Sequence, residues 1–172
     1  EGLTVSLRSA SGEPRPVTLA DLDRLPHELR APASSPADPG WLLLPVTARL
    51  IDDPEFETSL QRSFPRPAGV VLALDEASTR SVDPVQARVR RLSEAGFGIA
   101  LDNFTGMTMR PFDLCGLPWQ YLRVDVAWWQ DSLNVLQRLV ALHPEARVIA
   151  GARRPAAPLD LSQYSLIECD PH

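Results

Sequence analysis

Short apolar runs recur along the chain, each followed by a loop or by a segment of helical periodicity: LTVSL (3–7), WLLLPV (41–46), GVVLAL (69–74), FGIAL (97–101), YLRVDV (121–126), RVIAG (147–151) and a weaker SLIEC (165–169). Strict alternation would suit a sheet with one wet face. Near-continuous hydrophobicity instead suits strands covered on both faces, as in a parallel sheet. Interleaving with helices predicts α/β architecture.

Two helices are well signalled. In 83–96, Asp83 can cap the free amides, Pro84 is preorganised for the first turn, and Gly96 can adopt the left-handed stop. Val85, Val89 and Leu92 then share the face that packs on the sheet, with Arg90 and Arg91 outward and Arg88 at the border. In 131–145, Leu133, Leu136 and Val140 form one stripe with Leu139 at its edge, and Pro144 marks the end. Val135 and Leu142 fall on the far side, which predicts cover on more than one face. Both read as crossover helices between parallel strands. The stretch APASSPADPG (31–40) has no periodicity and reads as a loop or degraded connector, and no internal repeat is present.

At 172 residues, 44% hydrophobic and 23% charged, the chain fits one folded domain, 1–172. It opens on Glu1 rather than methionine, so it is expected to be excised from a larger protein. A net charge of −5 argues against a nucleic-acid partner, because neutralising phosphates needs a surplus of Lys and Arg on one face. The cluster RVRRL (88–92) reads as a solvated helix face. No apolar run approaches the ~20 residues that span a bilayer, so a soluble domain without membrane contact is expected. Cys115 and Cys169 form no C-x-x-C pair, which makes a reducing, cytoplasmic setting the default. His27, His143 and His172 lack ligand spacing and read as surface residues; no metal and no cofactor is expected.

In parallel α/β barrels ligands bind at the carboxyl ends of the strands, where loops vary without disturbing the core. The polar residues in or just after the apolar runs are Arg8, Thr47, Asp75 with Glu76, Asp102 with Asn103, Arg123 with Asp125, and Arg153 with Arg154. Asp102 has a plainer reading as a strand-end cap, and Asp125 as a partner of Arg123 or of a loop amide. Trp128 and Trp129 offer either core packing or an exposed anchor for a protein interface.

The order of these residues resembles the EAL family of cyclic di-GMP phosphodiesterases. RRLSEAGFGIALDNFTGM followed by LPWQYLRVDVAWW is similar to the family's helix ending in L-x-x-x-G, then A-L-D-D-F-G-T-G, then L-P-x-x-x-L-K-I-D. LLLPVTARLIDDPEFETSL resembles V-N-L-S-A-R-x-L-x-D-P-x-F, VVLALDEAS resembles L-E-L-T-E-S, and ARVIAGARR stands where the family has V-I-A-E-G-V-E. The resemblance implies a TIM-like (β/α) barrel of the EAL type. The length predicts that it is trimmed or incomplete.

The family's reaction implies two divalent cations held by carboxylates and an amide. Matched residue by residue, Thr4 falls at the signature glutamate, with Arg8 persisting nearby; Pro45 falls at the asparagine and Ala73 at the next glutamate. Glu76 matches the glutamate that steadies a loop, Asp102 and Asn103 the two aspartates, and Arg123 and Asp125 the lysine and aspartate of K-I-D. Gly151 and Arg154 replace the last two glutamates. A guanidinium that stays protonated cannot take over a lysine's part in activating water. One surviving carboxylate ligand, Asp102, leaves the charge of two cations uncompensated.

These readings predict no catalytic residues. Arg8, Glu76, Asp102, Asn103, Arg123 and Asp125 would form a vestigial site, or one that binds nucleotide. The expected function is a catalytically inactive EAL-like regulatory domain that binds a protein partner in bacterial cyclic di-GMP signalling. The alternative is a metal-independent receptor for cyclic di-GMP, since arginine forks suit phosphate oxygens.

Overall fold

The computed structural model describes residues 2–4, 7–8, 14–15, 17–24, 34–35, 38–39, 41–75, 83–104, 116–124, 137, 140–141, 143–150 and 166–168. In chain order these form β1 (Gly2–Thr4), β2 (Leu7–Arg8), β3 (Pro14–Arg15), α1 (Leu19–Arg24), β4 (Ser34–Ser35), β5 (Asp38–Pro39) and β6 (Trp41–Val46). There follow α2 (Ala48–Asp52), α3 (Phe56–Ser63), β7 (Val70–Asp75), α4 (Asp83–Glu94), β8 (Gly98–Phe104), β9 (Tyr121–Val124), β10 (Arg147–Ala150) and β11 (Leu166–Glu168).

Seven strands make one parallel sheet in the order β1-β6-β7-β8-β9-β10-β11. The order follows the chain without reversal. Right-handed crossovers then put the described connecting helices on the same face, the winding of a (β/α) barrel rather than of a doubly wound sheet. Among the described residues no pairing joins β1 to β11, so the architecture is that of an incomplete barrel. Two minor antiparallel ribbons, β2 with β3 and β4 with β5, lie between β1 and β6 in sequence. The second falls inside the proline-rich stretch read as a loop.

Burial explains the long apolar runs. Leu42, Leu44, Leu72, Leu74, Ile99 and Leu101 belong to the cluster that also holds the helix residues Leu50, Phe56, Leu60, Val85 and Val89. The intervening positions Leu43, Val71, Ala73 and Ala100 form a second cluster with Tyr121 against it. Alternate residues therefore face the helices and the concave interior, and both faces exclude water.

Helix α4 matches its expected span. Val85, Val89 and Leu92 are buried, Arg90 and Arg91 are exposed, and Gly96 has φ 98 just past the end. Arg88, at the border, donates to the carbonyl of Ile51 at 2.9 Å. Helices α1 to α3 go beyond the sequence reading. Each is short, and each rests on local capping or on packing. Asp21 accepts from both the amide and the hydroxyl of Thr18 ahead of α1, while Thr47 accepts from the amide of Leu50 to cap α2. Phe56, Leu60 and Phe64 recur every fourth residue and bury the same side of α3 and its end. Of the helix expected over 131–145, Gln137, Val140 and Ala141 are helical, and most of the rest lies outside the described residues. His143 corrects its surface reading: its Nε2 is buried without a hydrogen-bond partner among the described residues. No helix among them is long and apolar enough to cross a membrane.

Candidate functional site

The site is built from the inward positions at the carboxyl ends of β6 to β9. Ala73 and Ala100 are inward and face each other across β7 and β8, so two residues further on Asp75 and Asp102 are neighbours on the same concave face. The next strand brings Arg123. Tyr121, two residues earlier on the same strand, lies opposite Ala100, which fixes β9 in the same phase.

A register shift completes the arrangement. Leu101 pairs with Leu122 and Phe104 with Val124, so Asp102 and Asn103 together stand opposite the single residue Arg123. Such a bulge bends its strand and re-aims side chains, and it recurs next to functional sites. Here it coincides with an ion pair. Nη1 of Arg123 donates to both Oδ1 and Oδ2 of Asp102, at 3.1 Å each. The Asp102 side chain is 8% exposed and that of Arg123 30%, so the carboxylate is nearly out of water and the guanidinium keeps part of its hydration. An isolated carboxylate so placed would pay a large desolvation cost, which the guanidinium offsets.

The neighbouring wall is apolar. Pro45, half-buried, stands opposite Ala73 in the register, and Ala73 is 1% exposed. Proline inside a strand loses a ladder donor, which normally confines it to edges. Its place here has a local cause. Leu42 donates its amide to Gly69, at the head of β7, so in a parallel ladder the odd-numbered residues of β6 turn toward β1. The described β1 register ends at Thr4 opposite Leu43, one inward step short of Pro45. The Pro45 carbonyl accepts instead from the amide of Val17 at 3.3 Å.

Of the residues expected to form the site, the structure brings together Asp102 and Arg123, with Asn103 inside the same bulge. Arg8 lies in β2, paired opposite Pro14 in the small ribbon rather than within the seven-stranded sheet. Glu76, Asp125, Arg153, Arg154, Trp128 and Trp129 lie outside the described residues. The partnership of Arg123 with Asp102 goes beyond the sequence reading, which offered Asp125 as a partner of Arg123 or of a loop amide. Equal inward phase on adjacent strands is the signal that could have found it.

A pair of divalent cations does not fit the described part of this wall. Pro45 and Ala73 offer no side-chain oxygen, and the Arg123 guanidinium already holds a positive charge against Asp102, so two dications would find only the Asp75 and Asp102 carboxylates among the described residues. Hard cations need several oxygen ligands in an open cage.

No family model matches the chain, and no curated protein matches it. Solved structures do. The PaMucR phosphodiesterase in complex with c-di-GMP superposes with a TM-score of 0.69 at 19% identity, over 86% of this chain and 67% of that one. The FimX EAL domain from Pseudomonas aeruginosa bound to c-di-GMP gives 0.58 at 18% identity, over 91% of this chain and 74% of that one. Klebsiella pneumoniae BlrP1, in a manganese and cyclic di-GMP complex, gives 0.60 at 17% identity, over 78% of this chain and 38% of that one. The chain thus spans two thirds of the PaMucR chain and under two fifths of BlrP1. Sequential parallel strands and these superpositions agree that the protein has the α/β-barrel fold of EAL domains.

Proposed function

We propose that the protein is a catalytically inactive EAL-like regulatory domain, acting by binding a protein partner in bacterial cyclic di-GMP signalling. The observation that carries the inactivity is the Arg123–Asp102 pair. The one matched carboxylate ligand that survives is paired with an internal cation, and the matched positions on the neighbouring strands, Pro45 and Ala73, carry no side-chain oxygen. Phosphodiester hydrolysis by cation-activated water has no donor set to start from there. Retention of the scaffold without that chemistry leaves recognition as the remaining role, and the partner reading rests on this step.

A second reading is a metal-independent receptor for cyclic di-GMP. It is favoured by the FimX EAL domain and the PaMucR phosphodiesterase, both similar in fold and both solved with c-di-GMP. Arg123, still 30% exposed at the strand ends, would face the ligand's phosphates.

Titration calorimetry with cyclic di-GMP separates the two, and chromatography of the nucleotide after incubation with Mn²⁺ tests the inactivity. The leading reading expects neither heat nor linear dinucleotide. Micromolar binding without hydrolysis would establish the receptor instead, and turnover would overturn both.

A further inference from the structure

We propose that Pro45 is a positioning residue that keeps Arg8 off the carboxyl rim of the sheet, and that it thereby lowers the rim's affinity for anions. The inference rests on backbone register and goes beyond the proposed function, since it holds whether or not a protein partner exists.

The register shows what an unbroken first strand would do. Gly2, Leu3 and Thr4 stand opposite Trp41, Leu42 and Leu43. Carried on by the same count, Ser6 would stand opposite Pro45 and Arg8 opposite Thr47. Val46 pairs with Leu74, and Asp75 with Asp102, so Thr47, Asp75 and Asp102 share one level. Position 8 would join that level, on the inward phase set by Leu43. A continuous strand would therefore bring Arg8 to the rim that carries Arg123.

The chain does otherwise, and the cause lies in β6. Odd-numbered residues of β6 turn toward β1, so the next step of a parallel ladder has two requirements. The amide of residue 45 must donate to the carbonyl of Val5, and the carbonyl of residue 45 must accept from the amide of Leu7. Proline has no amide hydrogen, so the first bond cannot form. The second is replaced: the Pro45 carbonyl accepts from the amide of Val17 at 3.3 Å. Leu7 and Arg8 pair instead with Arg15 and Pro14, in a ribbon apart from the seven-stranded sheet. Val17 is 3% exposed and belongs to the main core cluster, which fixes the returning chain where Leu7 would otherwise bond.

The missing donor thus decides how many guanidinium groups reach the rim. Arg123 is there and pairs with Asp102. A second one at the same level would add positive charge and favour anions, phosphate oxygens above all.

The test combines amide hydrogen exchange, read by nuclear magnetic resonance, with titration of inorganic pyrophosphate into the full chain. Pro45→Val restores the amide and suits a strand. In this variant, protection is expected to move from the Val17 amide to the Leu7 amide, with the new amide at position 45 protected as well as that of Leu43. Pyrophosphate is expected to bind at least about tenfold tighter than to the wild type. Adding Arg8→Ala is expected to abolish that gain and leave the exchange pattern of the valine variant in place. Pro45→Ala provides a second variant should the valine fail to give a native circular dichroism spectrum. A folded variant in which Val17 stays protected and Leu7 does not overturns the proposal. So does a transfer of protection without tighter pyrophosphate binding, or a gain that survives Arg8→Ala. None of these readouts involves hydrolysis of cyclic di-GMP or a protein partner, so the proposed function and this inference fail separately.

Discussion

Arg123 and Asp102 share one ion pair but not one environment, and the difference decides what each is worth. Removing the arginine takes the counter-charge from a carboxylate that is 8% exposed, whereas removing the carboxylate's charge leaves a guanidinium that is 30% exposed and can turn to water. Arg123→Ala should therefore cost about 2–3 kcal/mol, near the low end for breaking a buried pair, and Asp102→Asn about 1 kcal/mol, closer to a surface pair. Urea unfolding of the two variants checks the order, and equal losses would show that the pair is solvated evenly. Both residues are legible in the sequence as polar positions at the ends of apolar runs. Their partnership is not, because Asp125 is the nearer aspartate along the chain and only the register places Asp102 across from Arg123.

The strands owe their close packing to particular small residues. A Cβ on Gly98 would lie 2.9 Å from Cγ2 of Val71 and 3.2 Å from Oε1 of Gln120, so the inward side of β8 has no room for it against β7. Gly98→Ala should cost about 1–3 kcal/mol by overpacking, visible as a lower urea midpoint with an unchanged slope. A gain in stability would mean that Val71 moves aside freely. The long strands and α4 are legible because burial on both faces and capping residues leave marks over several turns or pleats. Helices α1 to α3 leave weaker marks. They span 6, 5 and 8 residues, too short for a helical period to stand out, and tertiary contacts such as the Ser63 hydroxyl to the carbonyl of Leu22 help hold them.

Below the rim that carries Asp75, Asp102 and Arg123, the described concave residues form one apolar unit, which constrains any polar substitution there. Ala73 sits among Leu43, Val71 and Ala100, none of which has a side-chain hydrogen-bonding group. Ala73→Glu alone should destabilise by more than about 2 kcal/mol because the new carboxylate is buried without a partner. A melting temperature equal to wild type would show that the mouth reaches water at this depth. The chain's own pattern determined the parallel α/β class, the order of the main strands and α4, and the lack of a side-chain oxygen at Pro45 and Ala73, since these follow from residue type and period. Tertiary structure alone decided that β1 and β2 divide the first apolar run, that Arg8 joins a side ribbon, and that Asp102 answers Arg123. Such pairings depend on which strands become neighbours and where a bulge falls. That is a balance of long-range contacts, which no local stretch of sequence contains.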